Sequence, residues 1–154
     1  MMVHVSIFLF IAKSERTAVS DMTPRILIVD DDEDILELYK LILEDEGYRV
    51  DTAKCGREAL EKALKESYYL ALLDFVLPDI KGTDIATELC IKQKITKILF
   101  ITGYSHIFDF IDPIFKKKCK VLLKPVSGET LVEEVREALE PVTLFDVPEL
   151  VTTI

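Results

Sequence analysis

The chain has 154 residues, 49% of them hydrophobic and 31% charged, with 28 acidic against 19 basic side chains and a formal net charge of −9. That length suits one domain with short appendages, and the mix is that of a globular protein with apolar material for a core. The negative charge disfavours non-specific nucleic-acid binding and anionic membrane surfaces, which need excess Lys and Arg, and suits a protein that meets basic patches or metal cations.

Residues 1–23 read as an N-terminal extension. Its apolar stretch "VHVSIFLFIA" (3–12) is too short to span a bilayer as a helix. No Lys or Arg precedes it and no A-x-A site follows, so it is a poor signal peptide. It is either an apolar element docked on the domain or the product of a start codon set too early. The second reading, with translation starting at Met22, is favoured because fold signals begin at Pro24. Either way the expected location is the cytoplasm.

From Arg25 onward β-type runs alternate with amphipathic ones. "RILIVD" (25–30) is a continuous apolar run, as in a strand buried on both faces. "DILELYKLILEDEG" then spaces Ile35, Leu38, Tyr39, Ile42 and Leu43 for a helix that stops at Gly47. "YRVDTA" (48–53) alternates like a strand, and "GREALEKALKES" offers Ala59, Leu60, Ala63 and Leu64 as a second helical stripe. "YYLALLD" (68–74) is a buried strand ending in an acid, "GTDIATELCIK" a third helix and "KILFIT" (97–102) a fourth strand. Residues 105–118 have a helical outline interrupted by Pro113, which removes a donor and clashes with the preceding turn, so this helix is expected to be short, kinked or frayed. "KVLLKP" (120–125) is a fifth strand, and "SGETLVEEVREALE" a fifth helix with Ser127 as N-cap and acids in its first turn. Residues 141–154 form a tail without strong periodicity. Cys55, Cys90 and Cys119 show neither CxxC nor zinc spacing with His4 or His106, and read as reduced, buried small residues.

Five β-then-α units imply an α/β domain over 24–140, a doubly wound parallel sheet with helices on both faces. Such sheets bind ligands beyond the carboxyl ends of their strands. Strand one ends at Asp30 and Asp31, strand three at Asp74, strand four at Thr102 and strand five at Lys124. Three carboxylates gathered there suit a hard divalent cation such as Mg²⁺, which would relieve the repulsion within the acid run 30–34. An ammonium and a hydroxyl beside them suit a tetrahedral phosphoryl dianion. Asp74, alone at its strand end, is the candidate nucleophile, and the adjacent Asp30 and Asp31 are candidate metal ligands.

These residues resemble the receiver domain of two-component response regulators, over about Pro24 to Glu140. The resemblance rests on "VDDD", "LLDFVLPDIKG" around Asp74, "FITGYS" around Thr102 and "LLKPV" around Lys124, four motifs in order at strand ends. It implies a flavodoxin-like sheet in the order 2-1-3-4-5. It also implies phosphoryl transfer from a histidine kinase or histidine phosphotransfer protein onto Asp74. Asp31, Asp74 and the backbone carbonyl of Val76 would ligate Mg²⁺, with Asp30 acting mainly through metal-bound water. Thr102 and Lys124 would contact phosphoryl oxygens, and the Lys124–Pro125 bond is typically cis. The chain would act as a phosphoacceptor rather than a turnover enzyme, pass its signal to a separate output protein, and bind neither nucleic acid nor membrane directly. Val76 and Tyr104, two residues beyond Asp74 and Thr102, flank the approach of the hydrolytic water in this family, and neither is a side chain that activates water at neutral pH.

Two departures fall on the face from the fourth helical segment to the fifth strand, which the family uses for output and dimer contacts. Val121 stands where a Tyr or Phe switch is common, with Tyr104 the candidate to replace that ring. "KKKCKV" replaces a "KAGADDY"-like turn. A homodimer through the fourth- to fifth-helix face is a further expectation. The lysine run from Lys116 to Lys120 reads as a solvated loop, with a docking patch as the alternative. A haloacid-dehalogenase-type phosphatase needs Thr or Val where Asp34 stands, and an EF-hand needs Gly and Glu where Ile35 and Leu41 stand, so both fail. The remaining alternative is a receiver-like interaction module that does not signal by phosphorylation.

Overall fold

The computed structural model describes residues 23–92, 95 and 97–140. The readings for residues 1–22 and for the tail 141–154 lie outside the described residues. Five strands, β1 (Arg25–Val29), β2 (Arg49–Ala53), β3 (Leu70–Leu73), β4 (Lys97–Thr102) and β5 (Cys119–Leu123), alternate with four α-helices. These are α1 (Glu33–Asp45), α2 (Gly56–Lys65), α3 (Gly82–Lys92) and α4 (Gly128–Leu139). All strand pairs are parallel, and the order is β2-β1-β3-β4-β5. The expected doubly wound fold is therefore present.

The strand periodicity of two sends alternate side chains to opposite faces. Leu27, Val29, Ala71, Leu73, Ile98 and Phe100 face one layer, with Ala59 and Ala63 of α2 and Ile85 and Leu89 of α3. Ile26, Ile28, Leu70, Leu72, Leu99 and Ile101 face the other, with Leu36, Tyr39 and Leu43 of α1 and Leu131 and Val135 of α4. Burying each large aliphatic side chain contributes about 1.5–3 kcal/mol, and both faces of β1, β3 and β4 gain it, which is why these runs are continuously apolar.

Three helical expectations shift. In α1 the buried stripe is Leu36, Tyr39 and Leu43, and Leu38 is exposed. In α2 the small residues Ala59 and Ala63 meet the core while Leu64 is exposed. Both sequences carry more apolar positions than one face can bury, so spacing alone marks a stripe wider than the real contact. The third concerns residues 105–118, where no α-helix forms among the described residues. Two 3₁₀ turns, Ile107–Phe110 and Lys116–Lys118, flank Pro113. Proline stops i→i+4 bonding in a segment too short to recover it on either side. Only Ile107 and Ile111 of this segment are buried.

Candidate functional site

The parallel register sets the site. Val29 of β1 lies beside Leu73 of β3, so the next residues, Asp30 and Asp74, leave the sheet side by side. Their backbones are still tied to the strands, Asp30 N–H donating to the Ala53 carbonyl at 3.1 Å and Asp74 N–H to the Val29 carbonyl at 3.0 Å. Thr102 ends β4 opposite Leu123, and the Lys124 N–H donates to the Thr102 carbonyl at 2.9 Å, which delivers Lys124 to the same edge. The peptide bond from Lys124 to Pro125 is cis.

Asp30 and Asp74 are buried, 4% and 8% exposed, and Thr102 is 1% exposed. Lys124 Nζ donates to Asp30 Oδ2 at 2.8 Å and to Asp74 Oδ2 at 2.9 Å, so one ammonium holds two buried carboxylates. The remaining oxygens are also engaged. Asp30 Oδ1 accepts from the Asp32 N–H at 2.9 Å, and Asp74 Oδ1 from the Val76 N–H at 3.3 Å. Burial pushes the Asp30 carboxyl above its ordinary value, against the pull of Lys124 and the Asp32 N–H. Burial also disfavours the Lys124 ammonium, but its hydrogen bonds to Asp30 and Asp74 outweigh that and hold it above its ordinary range.

Asp31 is exposed at the rim, and Asp30, Asp31 and Asp74 each bring an oxygen within 4.8 Å of the others. Three hard oxygens this close are the donor set of a hard divalent cation. The rest of the acid run has another use. Asp32 is the N-cap of α1, accepting from the Asp34 and Ile35 N–H groups at 3.0 and 3.4 Å, while Glu33 and Asp34 occupy the first turn and complement the helix dipole. The run thus divides into site residues, a cap and a helix start.

The loop after Asp74 is pinned at two points. Gly82 N–H donates to the Phe75 carbonyl at 2.9 Å, and a Cβ on Gly82 would lie 2.2 Å from the Asp74 carbonyl oxygen. Only glycine allows this approach of α3 to the backbone of Asp74. Asp79 caps α2 across the loop, its carboxylate accepting from the Gly56 and Arg57 N–H groups, each at 2.8 Å. Those hydrogen bonds, the one from Arg57 foremost, hold the Asp79 carboxyl below its ordinary value.

An aromatic cluster flanks Thr102 and Asp74. The Tyr104 N–H donates to Thr102 Oγ1 at 3.3 Å, and its ring stacks on Phe75 with centroids 5.2 Å apart. Phe110, in the first 3₁₀ turn, lies 5.5 Å from Phe75 and 6.3 Å from Tyr104. Val121 is half-buried and supplies no ring, whereas Tyr104 and Val76 stand exposed at the rim.

All the expected side chains therefore converge on one edge, with Asp30, Asp74 and Lys124 in direct contact. Tyr39, Phe75, Asp79 and Phe110 were not singled out for the site by their sequence. Tyr39 read only as a helix-stripe residue, yet it is buried and shares with Asp30 and Asp74 a space of about 10 Å³ beneath the carboxylates. The aspartate after Pro78 is the one sequence signal that could have revealed Asp79. The three cysteines are free, and among the described residues no helix is long and apolar enough to cross a membrane.

A family model for the response regulator receiver domain matches residues 26–136. The response regulator ArlR of Staphylococcus saprophyticus is 36% identical over 115 residues, covering 75% of this chain and 52% of that protein. ArlR of Staphylococcus aureus is 34% identical over the same length. The chain thus spans about half the length of the curated relatives it matches. A CheY-like receiver domain protein from Methanospirillum hungatei is 36% identical with a TM-score of 0.65, over 75% of this chain and 92% of that one. The response regulator TrrA of Thermotoga maritima, solved in complex with Mg²⁺ and BeF, is 38% identical with a TM-score of 0.67, over 76% of this chain and 100% of that one.

Proposed function

The chain belongs to the response regulator receiver domain family, and on that premise we propose that it accepts a phosphoryl group from a partner's phosphohistidine on Asp74. The observation that carries this reading is the Lys124 ammonium shared by buried Asp30 and Asp74, with Asp31 beside them. An oxygen of Asp74 attacks phosphorus, the P–N bond of the donor breaks, and its electron pair returns to the imidazole nitrogen. Lys124, already at hydrogen-bond distance from the nucleophile, turns to a phosphoryl oxygen, and the Thr102 hydroxyl donates to another. Mg²⁺ held by Asp31, Asp74 and the Val76 carbonyl, with Asp30 mainly through metal-bound water, would offset the carboxylate charge and draw charge from the transferring group. The donor ring, protonated on its other nitrogen, leaves as neutral imidazole, and the attack by Asp74 draws on no general base of this chain.

The product is a modified protein, so the chain is an acceptor rather than a turnover enzyme. Residues 24–140 form the unit that carries the activity. The donor is a sensor histidine kinase or histidine phosphotransfer protein in the cytoplasm, and the output is a protein-interaction surface read by a separate protein. A homodimer through the face from residues 105–118 to α4 belongs to the same proposal. Beryllofluoride with Mg²⁺, a mimic of the aspartyl phosphate, tests it. Saturable binding that shifts the amides from Thr102 to Lys124, and its loss in Asp74→Asn, is expected. A wild-type chain that ignores the mimic is an interaction module that does not signal by phosphate, and turnover of a phosphate ester by the chain would make it a phosphatase.

A further inference from the structure

The site at Asp74 leaves most of the lysines of β4, β5 and the turn between them unexplained. Lys97, Lys117, Lys118 and Lys120 line one cavity of about 260 Å³, together with Glu134 and Glu137. It opens at the amino ends of β4 and β5, against the last turns of α4. That is the end of the sheet opposite Asp74, since the length of β4 alone separates Lys97 from Thr102 by about 16 Å.

The charges in this cavity do not balance. Lys120 pairs with Glu134, and lies 3.9 Å from Glu137. Lys97, Lys117 and Lys118 have no acidic partner among the described residues. Among the lining residues four lysines against two glutamates leave a surplus of two positive charges, with Glu133 of α4 also acting on Lys120 from outside the cavity, in a chain whose total is −9. Two of the unpaired lysines are consecutive on the 3₁₀ turn Lys116–Lys118, where like charges repel and an anion would offset them. The wall between them is neutral. Ala138 and Ile98 supply apolar surface, and burial pushes the Cys119 thiol up to about 11, so at neutral pH it carries no charge against an anion.

We propose that this cavity is a second ligand site, separate from the phosphoacceptor site, for a small organic phosphate monoester. A monoester carries a charge of about −1.5 to −2 at neutral pH, which matches the surplus. Lysine ammoniums bind phosphate as point charges. The volume is just below the range of drug-sized pockets, so the ester is compact, with its organic part against Ala138 and the aliphatic stems of the lysines. The site does not depend on the chemistry assigned to Asp74.

Phenyl phosphate titrated into the full chain, followed by amide chemical shifts and calorimetry, tests the assignment. Binding should saturate, and the shifted amides should be those of Lys97–Leu99 and Lys117–Lys120. Affinity should be higher at about pH 7.5 than at about pH 5.5, because the second phosphate proton leaves near pH 6. The triple variant Lys97→Gln, Lys117→Gln, Lys118→Gln should weaken binding by about tenfold or more, as expected for lost charged hydrogen bonds. Lys117→Glu alone should weaken it in the same direction, which covers the case of a triple variant that folds poorly. Absence of saturation, equal affinity in the variants, or shifts centred on Asp74 would each overturn the proposal.

Discussion

Replacing Lys124 by methionine keeps most of the unbranched stem and removes the ammonium that Asp30 and Asp74 share. Both carboxylates lie within 2.9 Å of that one nitrogen and bring oxygens within 4.8 Å of each other, so without it two like charges face each other at that range. At an effective dielectric of about 20 their repulsion is about 3 kcal/mol, close to the usual cost of breaking a buried ion pair by deleting one partner. For a domain of this size about 4 °C of melting temperature is lost per kcal/mol, so the variant should melt about 12 °C below wild type at neutral pH. The sign with pH is fixed by Asp30. Its folded-state pKa is already raised above 3.8, so its ionisation lowers stability as pH rises through the folded value, and the loss of Lys124 raises that value further. The deficit should therefore be largest near pH 7.5 and shrink as pH falls towards about 4.5. Millimolar Mg²⁺ should recover part of it by binding linkage, and more in the variant than in wild type because no ammonium competes for the same oxygens. Thermal melts by circular dichroism across this range measure all three effects. A variant that melts with wild type at pH 7.5, or a deficit independent of pH, would refute the electrostatic account.

Gly82→Ala forces a Cβ to within 2.2 Å of the Asp74 carbonyl, and should cost about 2–3 kcal/mol in urea unfolding as well as slowing phosphorylation by displacing Asp74. Asp79→Ala should speed hydrogen exchange of the Gly56 and Arg57 amides; because the folded-state pKa of Asp79 is lowered, its contribution is present above pH 3.8 and lost as pH falls through the folded value, so wild type and variant should converge in strong acid. The Tyr104 ring, stacked on Phe75, and the apolar Val76 cover the rim of the site without a group that activates water, so Val76→Asn with Tyr104→Glu should speed loss of the phosphoryl group by ~10-fold, equivalent to roughly 1.4 kcal/mol of barrier. An unchanged decay rate in that double variant would show that neither side chain gates the water.

The strands and the site residues were legible because they are fixed by strong, local terms. Runs such as "RILIV" and "LALL" read as strands buried on both faces, and a charged residue directly after such a run must emerge at the sheet edge, as Asp30 and Asp74 do; Lys124 follows the less buried β5 in the same way. Ser127 as the cap of α4 was readable for the same reason, and its hydroxyl accepts from the Thr130 N–H. The exposed faces of Leu38 and Leu64 were not readable, because the helix stripe is chosen by the shape of the sheet surface rather than by spacing. Nor was the use of Asp79, whose partners at Gly56 and Arg57 lie 23 and 22 residues away in sequence. The Phe75–Tyr104–Phe110 cluster was hidden because it depends on the segment 105–118 forming two 3₁₀ turns instead of a helix.

The most direct measurement of the central claim is phosphoryl transfer to Asp74 itself. The chain, incubated with Mg²⁺ and a radiolabelled donor such as a phosphorylated histidine phosphotransfer protein, should take up one phosphoryl group in a linkage labile to hydroxylamine, and borohydride reduction followed by mass spectrometry should place the label at residue 74. Asp74→Asn, which keeps the shape of the side chain and removes the nucleophile, should take up none. Label retained in that variant, or found on another residue of the wild-type chain, would contradict the account.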